Sequence, residues 1–505
     1  KGPMLIGINF GPDGALYAAD WAGGYPLKEK GSIWKLDDTT QTSADIRKEV
    51  AAFLKKGPAD VSTPELAARL SHADQRVRLD AQWELARRKA IPELKAVASN
   101  TSSTRLAVIH ALWGLAQTGT FDAEIFSTLA SGKDVELRAQ AAKWAGETSK
   151  DAQPVLGKLL VDPSLRVRAY AANAIGKLGM TDQLDAVISM LAENAGKDVY
   201  LRQAGVIALS GMDTDQVAAK AVTHASPAVR LAAAVAFRRA SSTHAAKLLA
   251  DTDPTVVAEA THSIYDAPSI PDAYPALAKL IETNPAATVP AIRRSIAANR
   301  RLADAASCSR LIQLAADPKV PVENRVAALE ALATWNEAPE LDLVDGRYEP
   351  FKAGENSAAT KESVTKAIVA LEHDASDAVA VAAAEVAAAF GIAADPKDLA
   401  KEANDTSAKP AGRIRSLKLL RGADEKQFRE IASAFLKDSD PTLRSAAAEL
   451  LAAKWPHLVI EYITSTATSA SAGNAERQHA VKLLLLVLGQ CVLLVCIGIA
   501  SLVLV

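Results

Sequence analysis

One helical phrase returns about every 30 residues along this chain, and it leaves few folds open. It reads Val77-Arg78-Leu79-Asp80-Ala81-Gln82, then Leu137-Arg138-Ala139-Gln140-Ala141-Ala142, then Val167-Arg168-Ala169-Tyr170-Ala171-Ala172. It returns as Leu201-Arg202-Gln203-Ala204, Val229-Arg230-Leu231-Ala232-Ala233-Ala234 and Leu443-Arg444-Ser445-Ala446-Ala447-Ala448. The marker arginines 78, 105, 138, 168, 202 and 230 are spaced 27, 33, 30, 34 and 28 residues apart, and Arg415 and Arg444 are 29 apart. Val257 keeps the register without the arginine, and Arg325 falls in another copy of the phrase. Each copy carries an apolar stripe that has to be covered by a neighbour, so the copies must stack. The expected class is an all-α helical solenoid.

Composition fits that class. Apolar residues make up 49% of the 505 residues and aromatics only 5%, so alanine supplies much of the buried surface and lets helices approach closely. The 57 Lys+Arg and 59 Asp+Glu give a formal charge of -2, with no basic excess that would point to nucleic acid. Cys308 lies in a helical stretch and reads as a buried small hydrophobe. Cys491 and Cys496 sit in the apolar tail and form no CxxC or CxxCH signature.

The repeats announce their own starts. Thr63-Pro64-Glu65 places a hydroxyl cap before a proline, and Leu66, Leu70, Val77, Ala81 and Leu85 then fall on facing stripes. Asp162-Pro163, Asp253-Pro254, Asp317-Pro318 and Asp440-Pro441 begin other units, with a marker position four to six residues on in all but the third, where Arg325 is eight on. A ladder of Asp–Arg contacts between successive turns is the expectation, valuable for register more than for energy.

The two ends differ from the middle. Ile6–Phe10, Ala15–Ala19 and Ser32–Leu36 read as short strands around the turn Gly11-Pro12-Asp13-Gly14 and the Gly23-Gly24 loop. They suit part of a β-propeller blade, which would lean on the first helices or continue a propeller encoded upstream. Asp20, Trp21 and Tyr25 read either as a pocket rim or as a blade-locking turn, with Asp20 bonded to backbone N–H groups. At the other end Leu483–Val505 is long enough to span a bilayer as a helix. Arg477, His479 and Lys482 precede it, as for a tail anchor facing the cytoplasm with its basic side. A shift in reading frame and a buried last helix of the solenoid are the other two readings.

The expected organisation is therefore a partial blade over 1–40, a first repeat block over 60–336, and a loop break over 337–357. A second block over 358–457, a linker over 464–480 and an apolar tail over 481–505, transmembrane or artefactual, follow. No catalytic, cofactor-binding or metal-ligating residue stands out. His72, His110, His224, His244, His262, His373, His457 and His479 are scattered with no HExxH pair. His110, beside Trp113, reads as a packed core group with one hydrogen bond. No Walker sequence, dinucleotide fingerprint or nucleophile elbow is present in 60–457.

Gly7-Ile8-Asn9-Phe10-Gly11-Pro12-Asp13-Gly14-Ala15-Leu16-Tyr17-Ala18-Ala19-Asp20-Trp21 and Gly31-Ser32-Ile33-Trp34-Lys35-Leu36 resemble the closing blade of a known family. These are large exported planctomycete and verrucomicrobial proteins of the membrane-bound dehydrogenase-like, haem-binding type. His110-Ala111-Leu112-Trp113-Gly114-Leu115 and Asp345-Gly346-Arg347-Tyr348 are similar to further phrases of that family. The resemblance implies a quinoprotein-type propeller, then HEAT repeats, then a cytochrome c domain. It implies PQQ, calcium and haem c in the parent, and an exported, periplasmic or membrane-associated location. The residues that would hold these groups are not in this chain, so no cofactor is expected here. The expected role is a non-catalytic HEAT-repeat scaffold contacting a protein partner or adjacent domain. The alternative is a sugar or alcohol dehydrogenase passing electrons to haem c, with its active parts outside this chain.

Overall fold

The computed structural model describes residues 4–21, 30–38, 40, 44–148, 153–372, 374–392 and 395–487. Tyr25, the Gly23-Gly24 loop, His373, Cys491, Cys496 and the rest of 488–505 lie outside the described residues. Two compact units, Lys1–Ala240 and Ser241–Val505, divide the chain.

The first unit opens with an antiparallel sheet of β1 (Leu5–Phe10), β2 (Leu16–Asp20) and β3 (Ser32–Leu36), in that order. The strands read from the sequence are there, and they amount to a small sheet. Asp20 takes the blade-locking role. Its carboxylate accepts from the Met4 amide (2.8 Å), Ser32 Oγ (3.3 Å) and Trp34 Nε1 (3.2 Å). One donor beside β1 and two on β3, held by an acid on β2, explain why one residue can pin a sheet this small. The helix Asp45–Lys56, which lies between the expected blade and the first repeat block, holds the sheet through Arg47. Arg47 donates to the carbonyl of Asp13 at 2.6 and 2.9 Å, and Arg76 to that of Gly11 at 2.6 Å.

Helix pairs in two layers make up the rest of this unit. Its front layer is Gln75–Arg87, Arg105–Gln117, Val135–Thr148, Leu165–Leu178, Val199–Ser210 and Pro227–Arg239. Each front helix packs on the next and on its own back-layer partner, so contacts stay between neighbours, as expected of stacked repeats. Leu66, Leu70, Val77, Ala81 and Leu85 are all fully buried between the layers, which is the stripe read from their spacing.

The second unit repeats the plan. Its front helices are Pro254–Tyr265, Val289–Leu302, Val322–Ala333, Asp377–Phe390, Pro410–Ala423 and Pro441–Ala452. Residues 337–357 lack helix, as read, but they do not divide two blocks. One hydrophobic core runs from Ile281 to Val487 past them. The segment is a strap, turned back at Asp345-Gly346 by a bridge between Leu341 and Tyr348, with Gly346 at φ 71°. Arg300 donates to the carbonyls of Lys352 (2.8 Å) and Thr334 (2.7 Å), and Trp335 Nε1 to that of Glu355 (3.0 Å). Side-chain donors from the helices thus satisfy the strap's backbone, which lets it lie against the core without helix.

The stretch 464–480 is largely helical and not an irregular linker. Ile460–Thr468 is a helix, only 469–473 are irregular, and 474–487 is helical again. Tertiary burial overrides the weak helix propensity of its threonines and serines, since Ile463 and Thr466 are buried. The described start of the apolar tail is a packed helix of the second unit. Ala480, Leu483 and Val487 join the core, and Glu476 is bonded to Arg444 at 2.8 Å and Tyr462 at 2.9 Å. Among the described residues no helix is long and apolar enough to cross a membrane. Most of the span expected over 483–505 lies outside them.

Candidate protein-interaction surface

The front layers carry the recurring polar groups, and their register decides what each can do. The ladder arginine stands four residues after the helix cap: Arg78 after Asp74, Arg168 after Ser164, Arg202 after Asp198, Arg444 after Asp440. Arg105 directly follows its cap, Thr104, and Arg415 lies six after Lys409, so these two belong to other faces. Val108 and Arg413 occupy the ladder position in their repeats.

The guanidinium groups of Arg78, Arg138, Arg230 and Arg444 each close their own turn. Nη1 donates to the carbonyls six and five residues back: His72 and Ala73 for Arg78 at 2.7 and 2.8 Å, Asp438 and Ser439 for Arg444 at 2.8 and 2.9 Å. Three ladder arginines reach an acid further along the chain: Arg138–Asp162 (2.8 Å), Arg168–Glu193 (2.7 Å) and Arg413–Asp438 (3.3 Å), as does Arg444 with Glu476 (2.8 Å), while Arg78 reaches His110. An acid–arginine ladder exists, and of the expected acids Asp162 takes part in it. Asp253 and Asp440 cap their helices through Thr255 N and Thr442 N, while Asp162 and Asp438 take the arginines.

The same turn explains two of the histidines. His72 Nδ1 accepts the Asp74 amide (2.9 Å) and His224 Nδ1 that of Ser226 (3.1 Å), where Asp162 and Asp438 accept theirs. His110 makes two bonds, not one. Nε2 lies 3.1 Å from the donating Nε of Arg78, which puts the proton on Nδ1, 2.8 Å from Gln82 Oε1. Burial, with Arg78 beside it, pushes its pKa down to about 4. A histidine held neutral in the folded chain costs stability once the unfolded chain starts to bind the proton. Stability is expected to be complete above about pH 6.5 and to fall by roughly 1.4 kcal/mol per unit as pH drops towards 4. Denaturant titrations across this range should show that slope in the wild type and lose it in His110→Gln.

Cys308 is a buried free thiol whose pKa is pushed up to about 12 by that burial, a packed small side chain as read. No group of three His, Cys, Asp or Glu placed to hold a metal ion occurs among the described residues.

What remains solvent-facing on the front of the first unit is aromatic and cationic. The Lys143 ammonium lies 4.4 Å from the Trp113 ring and 5.9 Å from that of Tyr170. Arg166 stacks on the other side of Tyr170 at 4.9 Å and donates to Glu136 at 2.8 and 3.0 Å. Trp113 Nε1 donates to Gln140 Oε1 at 3.1 Å, and Gln140 to Glu136 at 2.8 Å. Trp83 is 53% and Tyr200 80% exposed. Leu106, Val135, Leu165 and Val199 are exposed in the first turns of successive front helices. Trp, Tyr and Arg dominate the energetics of protein interfaces because they bury large area at low entropic cost. None of these residues was singled out from the sequence. The signal was the ninth position after each cap, which reads Trp83, Trp113, Lys143, Asn173, Ile207.

Comparison with known proteins agrees with this architecture. Residues 123–210 match the family of HEAT repeats. No curated protein is similar to the chain. Among solved structures it is similar to yeast importin-β (Kap95p), at 12% identity and TM-score 0.35 over 88% of this chain and 76% of that one. It is also similar to Kap121p bound to Nup53p, at 10% identity and TM-score 0.45 over 88% of this chain; it spans about half (52%) of Kap121p. The fold is a helical HEAT-repeat solenoid.

Proposed function

We propose that this chain is the non-catalytic HEAT-repeat scaffold of a larger exported redox protein, holding a β-propeller at its N-terminal end and binding a protein partner or adjacent domain. The observation that carries this reading is the open face of the sheet. Cross-strand pairing puts Phe10, Leu16 and Leu36 on one face with Ile8, Ala18 and Trp34. Ile8, Phe10, Trp34 and Leu36 are each at least half exposed, while Arg47 and Arg76 clamp the sheet to the helices. A rigidly anchored apolar sheet face of this kind needs further structure to cover it, and more β structure covers it best.

In the dehydrogenase alternative, PQQ, calcium and haem c belong to parts outside this chain. Two experiments test the proposal. Resequencing the locus on both sides should find propeller strands upstream and a CxxCH downstream; a start codon near Lys1 and a stop after Val505 would overturn the larger redox protein. The purified chain should show no haem band and no sugar- or alcohol-dependent dye reduction. Turnover in that assay would overturn the scaffold.

A further inference from the structure

The front layer of the first unit holds a continuous cleft across Val135–Thr148, Leu165–Leu178 and Val199–Ser210. One end is lined by Lys143, Glu147, Tyr170, Asn173, Lys177 and Ile207. The other end shares Tyr170, Asn173 and Ile207 and continues to Leu165, Tyr200 and Ala204.

Two independent features show what this cleft is built to meet. The first is charge. Arg166 is neutralised by Glu136, and Lys177 by Glu147. Asp198 is spent on the amide of Leu201 (2.6 Å) as a helix cap. Lys143 has no carboxylate partner among the described residues. Its ammonium is held between the Trp113 and Tyr170 rings, which fixes its position and leaves the positive charge unmatched. The second is an orphaned acceptor. Asn173 Oδ1 is buried and has no hydrogen-bond partner among the described residues. A buried carboxamide oxygen without a donor is costly, and a ligand N–H would relieve it. The amide stands between the tyrosines, with Ala204 and Ile207 as an apolar floor.

We propose that this cleft binds an extended acidic–apolar segment of a partner protein. Its carboxylate pairs with Lys143, a main-chain N–H donates to Asn173 Oδ1, and an apolar side chain lies between Tyr170 and Tyr200. The pairing follows from charge complementarity, since an acid is the one group that matches the cation the cleft leaves over. A nucleic acid would need a run of unmatched cations along its phosphates, and of the three cations lining the cleft Arg166 and Lys177 are already paired, so it is disfavoured.

This inference rests on the scaffold reading, and the test keeps the two apart. A random dodecapeptide phage library is selected on the full chain, and the enriched peptides are synthesised with a fluorescent label for anisotropy titration. Acidic–apolar peptides are expected to be enriched. Their affinity should fall about tenfold or more in Lys143→Glu and measurably in Asn173→Ala and Tyr200→Ala. The melting curve should be unchanged for Tyr200→Ala, whose side chain is solvent-facing. Enriched peptides that bind all three variants as they bind the wild type would overturn the cleft and leave the scaffold standing. Enrichment of basic peptides would overturn the proposed chemistry. No enrichment at all would count against both.

Discussion

Replacing Asp342 with alanine is expected to destabilise the second unit by about 3–5 kcal/mol, the range for removing one partner of a buried ion pair. The Asp342 side chain is fully buried and that of Arg301 is 9% exposed. One carboxylate serves four donors: Arg301 Nη2 (2.7 Å), Tyr265 OH (2.5 Å) and the amides of Val344 (2.8 Å) and Asp345 (3.2 Å). These donors join the helices Pro254–Tyr265 and Val289–Leu302 to the strap. With alanine there, Arg301 keeps its stack on Phe351 (3.9 Å) and its bond to the Glu349 carbonyl, but its buried charge is left with only the more distant, more exposed Glu349 carboxylate at 3.4 Å, and Nε already has no partner. Thermal melts should show a fall on the order of 10 °C. Arg301→Met added to Asp342→Ala should restore part of the loss, because the stranded charge goes with it. A loss under about 1 kcal/mol in the single variant would show that the strap is not held by this acid.

The same carboxylate predicts where acid attacks. Burial pushes its pKa up, but the hydrogen bonds from Tyr265, Arg301 and the two amides outweigh it and hold it below the ordinary 3.8. A lowered folded pKa means that the contribution is complete above about pH 4. It is lost as pH falls through the folded value, below 3.8. Asp342→Asn should remove that acid-dependent part while keeping a side chain that can still accept from the strap amides.

The sequence showed the helical array clearly because its signals are local. Caps, prolines at first turns and stripes such as Leu66, Leu70 and Val77 depend on residues within a turn or two. Three things were not local. The ladder register depends on which residue caps each helix, so Arg105 and Arg415 looked equivalent to Arg78 until Thr104 and Lys409 were located. The strap looked like a boundary because Pro339, Gly346 and Pro350 exclude helix. Its docking depends on Arg300, Arg301 and Tyr265, which lie 41 or more residues upstream of the groups they bind, apart from the nearer contacts of Arg300 with Thr334. The helix at 460–468 was hidden by threonines whose propensity is poor and whose burial is decided by the core. The cleft around Lys143 escaped notice for a further reason. It is assembled from residues of three successive front helices, each unremarkable within its own helix.

Gly176 carries the second large effect, and it shows why this array is so rich in small residues. A Cβ added there would stand 2.5 Å from the carbonyl oxygen of Ile207 and 2.8 Å from Ala208 Cα. One added at Gly211 would meet the Gly176 carbonyl oxygen at 1.9 Å. The helices Leu165–Leu178 and Val199–Ser210 therefore touch backbone to backbone, and no rotamer change relieves an added carbon. Gly176→Ala is expected to cost about 1–3 kcal/mol and Gly176→Val about 3 kcal/mol or more. Gly114→Ala is the matched control. Its added carbon would meet Leu94 Cδ2 at 2.7 Å, the far end of a side chain that can turn away. The helix also gains about 1 kcal/mol from exchanging glycine for alanine. That substitution should be close to neutral. Amide hydrogen exchange should place the Gly176→Val loss in these two helices and their immediate neighbours, because each repeat packs on the next. A gain in stability in both Gly176→Ala and Gly114→Ala would show that helix propensity, and not the approach of the two backbones, governs these positions.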